Sequence, residues 1–163
     1  MTDRYDADAL TAFATALFAK AGLDPDKAAT TAAILVEGDL LGHSTHGLAL
    51  LAPYLAEATA GRMLGSGAPD VVATAPAAQT WDGRRLPGPW LVVQAAEWAT
   101  RTASETGLAA VSIRNSCHIA CLAAYLYRFA SRGHFLLIAS SDPAVASSAA
   151  ISGSRSRFSS CAR

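Results

Sequence analysis

Residues 109–113, Ala-Ala-Val-Ser-Ile, and residues 135–139, Phe-Leu-Leu-Ile-Ala, are short apolar runs on either side of a segment with helical spacing. Such runs are typical of buried strands, and the apolar positions between Ile119 and Ser131 predict a helix. Strands that alternate with helices indicate an α/β sheet. Because two strands cannot bury both faces of a sheet, we predict an α/β fold with an incomplete mixed sheet and flanking helices.

The N-terminal sixty residues carry helix signals. Asp6 is a candidate N-cap, and Asp24-Pro25 combines an N-cap with proline at the first helical position. A third helix is predicted from Leu48 to about Ala60. Apolar residues recur at helical spacing along the first of these helices, at Leu10, Phe13, Ala14, Leu17, Phe18 and Ala21.

Glycines and prolines interrupt the chain from Gly61 to Pro89, which predicts short strands and turns, and a helix is predicted from Trp90 to about Glu105. We therefore divide the chain into a helical part (1–60), an α/β part (61–150) and an irregular tail rich in serine and arginine (151–163).

Composition excludes several classes of protein. The 163 residues are 52% hydrophobic and 16% charged, with a formal net charge of zero. This balance does not fit a charged disordered chain, and it lacks the electrostatic footprint of a nucleic-acid binder. The sequence has no apolar run long enough to span a membrane and no basic, apolar leader, so we expect a cytoplasmic protein that binds neither nucleic acid nor membrane.

The first candidate site is Asp39-Leu40-Leu41-Gly42-His43-Ser44-Thr45-His46-Gly47. A histidine on a glycine-bounded turn beside a hydroxyl is suited to proton transfer near neutral pH. Two alternatives remain. Either His43 is a helix C-terminal residue that interacts favourably with the helix dipole and His46 is an ordinary surface histidine, or the two bind a metal with Asp39. The metal alternative lacks a convincing further ligand, and we predict no metal site.

Two further polar groups directly follow the predicted strands. Asn115-Ser116-Cys117-His118 comes after the first strand, where Asn115 or Ser116 would cap the next helix and His118 would lie in its first turn. Ser140-Ser141-Asp142-Pro143 comes after the second strand. Ligands of α/β sheets bind at the carboxyl ends of strands. The alternatives to ligand binding are that the first group only caps a helix and packs, and that the second group only forms a turn.

Together, the Asp39–Gly47 motif, Asn115-Ser116-x-His118 and Ser140-Ser141-Asp142-Pro143 resemble the malate/L-lactate dehydrogenase family of the second type, which includes ureidoglycolate, sulfolactate and diketogulonate oxidoreductases. The resemblance extends to about Ala150. It implies a non-Rossmann fold, which agrees with the missing Gly-x-Gly-x-x-Gly fingerprint. It also implies interconversion of a small 2-hydroxy acid and a 2-oxo acid with NAD or NADP, by a protein that is a homodimer at full length.

The resemblance also implies roles for individual residues. His46 matches the proton donor or acceptor of the family, and His118 matches a second active-site histidine that some members use as the base. Thr45 stands where a serine is more usual, and Thr45, Asn115 and Ser116 are implied on the substrate side. Ser140, Ser141 and Asp142 fall where the family begins to contact its cofactor.

The chain departs from the family at three places. Leu50 stands where members often carry an arginine that can clamp a substrate carboxylate, and Ala120 stands at a common glycine. The sequence after Ala149 departs from the family and ends at about half the usual length, so we expect a fragment or a change of reading frame. The leading interpretation is an N-terminal portion of an oxidoreductase. The alternatives are a non-catalytic remnant or interaction module of the same family, and a metal-binding helical module.

Overall fold

The computed structural model describes residues 4–141, and its first two helices pack against each other. α1 (Ala7–Lys20) begins at Asp6, whose carboxylate accepts a 2.7 Å hydrogen bond from the Ala9 N–H, so the predicted N-cap is confirmed. α2 (Pro25–Leu40) begins at the predicted proline. The carboxylate of Asp24, however, forms no capping bond and instead lies 3.0 Å from Nζ of Lys27.

The third predicted helix is also present. A 3₁₀ turn over Leu48–Leu50 leads directly into α3 (Leu51–Thr59). Tyr54 is the buried residue of α3 and packs against Phe18 of α1, with ring centroids 6.5 Å apart. The inward face of α3 is therefore fixed by an aromatic contact to α1.

A three-stranded mixed sheet follows in the order β1-β2-β3. β1 (Asp70–Ala75) and β2 (Ala78–Asp82) form an antiparallel pair, and β2 pairs in parallel with β3 (Ala110–Arg114). The connection from β2 to β3 is α4 (Gly88–Thr106), as a parallel pair requires a crossover. The predicted short strands, the predicted helix and the mixed α/β class are confirmed.

α2 and α4 are joined at their first turns by a buried lysine. Lys27 is 3% exposed, and its ammonium lies 4.3 Å from the ring centroid of Trp90. The Trp90 indole N–H donates a 2.8 Å hydrogen bond to Asp26. The charge of Lys27 is thus balanced by Asp24 and Asp26 and by the face of an aromatic ring.

The prediction of a buried strand over Phe135–Ala139 is wrong for this structure. The segment pairs with no strand among the described residues, and Phe135 and Leu137 are 94% and 81% exposed. Leu136 and Ile138 pack against the core, so alternate side chains of the segment face inward as they would in a strand. The segment nevertheless has no hydrogen-bonded neighbouring strand among the described residues. A strand needs a second strand with which to form hydrogen bonds, and an apolar run of residues does not by itself provide that second strand. β3, which was also predicted to be buried, has residues that alternate between exposed and half-buried.

The helix predicted from Ile119 to Ser131 begins later than expected. A 3₁₀ turn covers Leu122–Tyr125 and leads into the short α5 (Leu126–Ala130). Asn115 and Ser116 therefore cap no helix, and His118 lies in a loop and not in a first turn. Asn115 and Ala120 both have left-handed backbone angles, with φ of +53° and +56°, which a helix cannot contain.

The main core lies where α1, α2, α3 and α4 meet the loop that carries His118. The residues that form it are Ala14, Phe18, Leu23, Ala28, Ala32, Ile34, Leu35, Tyr54, Met63, Val93, Cys117, Ala120, Cys121, Ala124 and Tyr125. None of the helices in the described part of the chain is both long and apolar enough to cross a bilayer.

Candidate active site

His46 lies on a 3₁₀ turn, Ser44–His46, that follows the end of α2. The turn is held by Asp39, whose carboxylate accepts a 2.8 Å hydrogen bond from the Leu48 N–H. Gly47 is buried, and a Cβ placed there would overlap the carboxylate of Asp39. Asp39, which the sequence offered as a possible metal ligand, thus organises the turn through a hydrogen bond to its backbone.

The same turn lies closely on α2. A Cβ added at Gly38 would lie 3.0 Å from the carbonyl oxygen of His46 and 3.3 Å from Cα of Gly47. A side chain at position 38 would therefore require the turn to shift away from the helix. Asp39 and Gly38, neighbours on α2, therefore both contact the turn that carries His46.

His118 lies on the loop after β3, and the start of that loop is anchored to β2. The side-chain amide of Asn115 donates a 2.8 Å hydrogen bond to Oδ2 of Asp82, and the backbone carbonyl of Asn115 accepts a 2.6 Å bond from the Arg85 N–H. A Cβ at Gly88, in the first turn of α4, would overlap the carbonyl oxygens of Cys117 and His118. The loop is therefore pressed against the helix start, and glycine is required there.

Asp82 carries the electrostatic part of this anchor. The Arg84 N–H donates a 3.0 Å hydrogen bond to its carboxylate, and Nε of Arg114 lies 3.2 Å away. The Arg84 amide, followed by the Asn115 amide and Arg114, holds the pKa of Asp82 below its usual range. Asp82 is therefore ionised at neutral pH, where it accepts the hydrogen bond from the Asn115 amide.

Two contacts reach the ring of His118, and a third holds its backbone. The Tyr54 hydroxyl lies 2.8 Å from Nδ1 and donates a 2.9 Å hydrogen bond to the His118 carbonyl oxygen. The Ala120 N–H donates a 3.2 Å bond to the same Nδ1. Burial raises the pKa of the Tyr54 phenol well above its usual range, so the hydroxyl keeps its proton.

The fold brings His46 and His118 together. Their ring centroids are 5.8 Å apart, with an angle of 30° between the ring planes. The hydroxyl of Thr45 lies 3.0 Å from Nδ1 of His46. Both histidines and Thr45 are exposed. Two imidazoles at this separation can contact one small oxygen-bearing molecule, because a proton donor reaches its acceptor over about 2.6–3.2 Å.

Among the other residues predicted for the site, Ser116 is half-buried. Ser140 and Ser141 are exposed at the end of the segment that follows α5. Asp142 lies outside the described residues. Leu50, at the position of the family arginine, packs against the core. Residues 4–141 contain no group of three or more His, Cys, Asp or Glu side chains placed to hold a metal ion.

Sequence reasoning missed the role of Tyr54. The helical pattern of residues 48–60 indicates that Tyr54 faces inward, but its partner lies 64 positions away in the chain. Ala120 was visible as an alanine at a common glycine. Its left-handed backbone, which turns its N–H toward the His118 ring, follows only from the structure.

Comparison with known proteins gives consistent matches. The family model for malate/L-lactate dehydrogenase matches residues 5–160. Hydroxycarboxylate dehydrogenase B from Escherichia coli O157:H7 is 30% identical over 139 residues, which are 83% of this chain and 38% of that protein.

Solved structures agree with these matches. A dehydrogenase from Sinorhizobium meliloti is 30% identical, with a TM-score of 0.75 over 80% of this chain and 41% of that one. The malate dehydrogenase from Pyrococcus horikoshii OT3 is 27% identical, with a TM-score of 0.77 over 80% of this chain and 38% of that one. The chain thus spans about two-fifths of the length of these relatives.

Proposed function

The chain belongs to the malate/L-lactate dehydrogenase family, and from this premise we propose that it carries the acid–base part of an NAD(P)-dependent 2-hydroxy-acid oxidoreductase. The single observation that carries the proposal is the pairing of His46 with His118 across 5.8 Å. The two side chains come from separate loops, and the anchors at Asp39, Gly88 and Asp82 hold both loops in place.

The residues divide the chemistry of the reaction between them. Oxidation of a 2-hydroxy acid removes a hydride from the carbon and a proton from the hydroxyl oxygen, and reduction of the 2-oxo acid returns both. A histidine takes up or releases such a proton near neutral pH. We assign proton transfer to His46, beside the Thr45 hydroxyl, and contact with the same substrate oxygen to His118.

A nicotinamide cofactor fits the described residues in its chemistry. Ser140 and Ser141 are exposed hydroxyls at the end of the segment after α5, and hydroxyls match the hydrogen-bonding groups of a ribose. When bound, the cofactor supplies the hydride acceptor or donor that no amino-acid side chain provides. We propose that Ser140 and Ser141, with Asp142, contact it, and that either NAD or NADP is used.

The substrate proposed is a small 2-hydroxy or 2-oxo acid. Leu50 packs into the core and offers no charge to a carboxylate, so the clamp that an arginine would supply at this position is absent there. We therefore propose a substrate whose carboxylate is bound by other groups. We further propose, from family membership alone, a cytoplasmic homodimer.

An enzyme assay tests this function. The purified chain is mixed with NADH or NADPH and a panel of 2-oxo acids, with 3-oxo acids as the control for the position of the carbonyl, and consumption of reduced cofactor is followed. We expect a version extended to the full length of the relatives to turn over at least one 2-oxo acid and none of the 3-oxo acids. The 163-residue chain, which spans about two-fifths of that length, is expected to bind NAD(H) weakly or not at all. His43→Asn is the matched control for His46→Asn, because His43 is an exposed histidine on the same turn.

The alternative function is a non-catalytic remnant or interaction module of the same family. A folded full-length version that turns over no combination of cofactor and 2-oxo acid would favour this alternative. Turnover that survives His46→Asn unchanged would contradict the assigned site while leaving the family membership intact.

A further inference from the structure

The loop that carries His118 contains a residue with an unfavourable backbone conformation. Ala120 is buried and has a left-handed backbone, with φ of +56°. Residues other than glycine rarely adopt a positive φ, because the Cβ crowds the neighbouring peptide groups, and alanine lacks the polar side chain that lets asparagine tolerate it. Contacts from the surrounding structure must therefore hold Ala120 in this conformation.

The peptide group that joins Ile119 to Ala120 determines this conformation. Its carbonyl oxygen accepts a hydrogen bond from the Tyr125 hydroxyl. Its N–H lies 3.2 Å from Nδ1 of His118, and the Tyr54 phenol oxygen is a second acceptor for the same N–H. The φ angle of Ala120 is the rotation about the bond from the nitrogen of this planar group to Cα. Because the peptide is bonded at both its carbonyl and its N–H, its orientation is fixed, and φ is held at a positive value.

The alternative conformation is a flip of the same peptide. If the Ile119–Ala120 peptide turned over, Ala120 could take an ordinary negative φ. The flip would also turn the carbonyl away from Tyr125 and the N–H away from the imidazole of His118. Relief of the Ala120 backbone therefore competes with the loss of hydrogen bonds at both ends of the peptide. The surroundings of the His118 ring differ between the two states, so its signals report which state is present.

Tyr125 is a rigid donor to the Ile119 carbonyl. It ends the 3₁₀ turn Leu122–Tyr125, and its side chain is fully buried, so few torsions are free to move its hydroxyl. Burial raises the pKa of the Tyr125 phenol well above its usual range, so the hydroxyl keeps the proton that it donates. A flip of the peptide would take the acceptor away from a buried hydroxyl, which is costly. The Tyr125 hydroxyl therefore opposes the flip.

We propose that Tyr125 is a positioning residue of the site, whose hydroxyl holds the Ile119–Ala120 peptide in the orientation that keeps Ala120 left-handed and its N–H beside the His118 ring. Tyr125 acts on the ring through this peptide. The catalytic meaning of the assignment rests on the proposed function. The conformation of the loop is a property of the folded chain and is measurable without substrate.

The experiment is nuclear magnetic resonance of the 163-residue chain. A positive φ shortens the distance between the amide proton and Hα of one residue, so the cross-peak between these protons of Ala120 should be strong in the wild-type chain. Tyr125→Phe keeps the buried ring and removes the donor. We expect it to weaken this cross-peak, to shift the ring signals of His118, and to speed amide exchange at Ala120 by about tenfold or more, with the core amide of Leu35 unchanged. A weak Ala120 cross-peak in the wild-type chain would overturn the proposal without any variant.

Two control variants separate this role from a general loss of stability. Tyr127→Phe removes the same phenol oxygen from an exposed tyrosine two residues along, and Ile34→Val weakens the core at α2. Neither should change the Ala120 cross-peak or the ring signals of His118. Ala120→Gly added to Tyr125→Phe should return the His118 signals toward wild type, because glycine adopts a positive φ at little cost. Equal changes for Tyr125→Phe and Ile34→Val, or no rescue by Ala120→Gly, would overturn the proposal.

Activity separates this inference from the proposed function on which its catalytic part rests. In a version extended to the full length of the relatives, Tyr125→Phe should lower kcat by about tenfold with a smaller effect on KM, because placement of a catalytic ring matters most in the transition state. The expected loop conformation in a protein without turnover would support the positioning of the loop by Tyr125 and count against the proposed function. Unchanged kcat in an active Tyr125→Phe variant would overturn the positioning role and leave the proposed function standing.

Discussion

The rings of His46 and His118 lie 5.8 Å apart between centroids, although one follows a helix of the N-terminal part and the other follows a strand of the sheet. Separate groups support the two rings: Asp39 holds the turn of His46, and Tyr54 contacts His118. The site is therefore a junction between the helical part of the chain and the α/β part, and its geometry depends on both.

Removal of either histidine should abolish most of the activity of an active chain. We expect His46→Ala to lower kcat by about 10²–10⁴, the usual contribution of a positioned acid or base. His118→Ala should also lower kcat, and the double variant should lose less than the product of the two effects, because the residues act on one oxygen. Steady-state kinetics between pH 6 and 8 measure this, with His43→Ala as the control. Strictly multiplicative losses would show that the two rings act independently.

Asp39 and Gly47 should be coupled in stability. Asp39→Ala removes the acceptor of the Leu48 N–H and should cost about 1–3 kcal/mol. Gly47→Ala should cost about 1–3 kcal/mol, because its methyl group overlaps the Asp39 carboxylate. In the Asp39→Ala background the same Gly47→Ala change should cost clearly less. A double-mutant cycle from urea unfolding measures the coupling, and additive effects would contradict the contact.

Asp82 should make the stability of the fold depend on pH in the acidic range. Because the pKa of Asp82 is lowered in the folded state, its stabilisation is fully present above the pKa of the unfolded chain, about 4, and is lost as the pH falls through the lower folded value. Asp82→Asn should therefore lower the free energy of unfolding at pH 7, and its difference from wild type should shrink toward pH 3. Denaturant unfolding across this range tests the sign. Glu105→Gln, on the exposed end of α4, is the control and should show a much smaller change.

Substitutions along Phe135–Ala139, the segment predicted as a strand, test which of its side chains contribute to stability. In the 163-residue chain, Leu136→Ser and Ile138→Ser should each lower the free energy of unfolding, because these side chains pack against the core. Phe135→Ser and Leu137→Ser should change it by less than about 0.5 kcal/mol, because both side chains are largely exposed. Equal losses at all four positions would show that the segment is buried on both faces.

The sequence alone predicts much of the fold, and it does so where the deciding interactions are local. Asp6 caps α1 through the amide three residues on, and Pro25 starts α2, because capping and proline geometry act within one helical turn. The breakers between Gly61 and Pro89 separate two short strands for the same reason. The motifs around His46 and His118 can also be recognised in the sequence, because each is a short run of neighbouring residues.

Only the tertiary structure decides what depends on distant partners. The segment Phe135–Ala139 has the composition of a strand, but a strand forms only where another strand offers its N–H and C=O groups. The helix expected to begin at Ile119 begins only with the 3₁₀ turn at Leu122. Contacts with Tyr54 and Gly88 determine the conformation of the loop before that turn, and they override its local helical preference. The contact between Tyr54 and His118 joins residues 64 positions apart, and such a contact arises from chain packing, which no local spacing encodes.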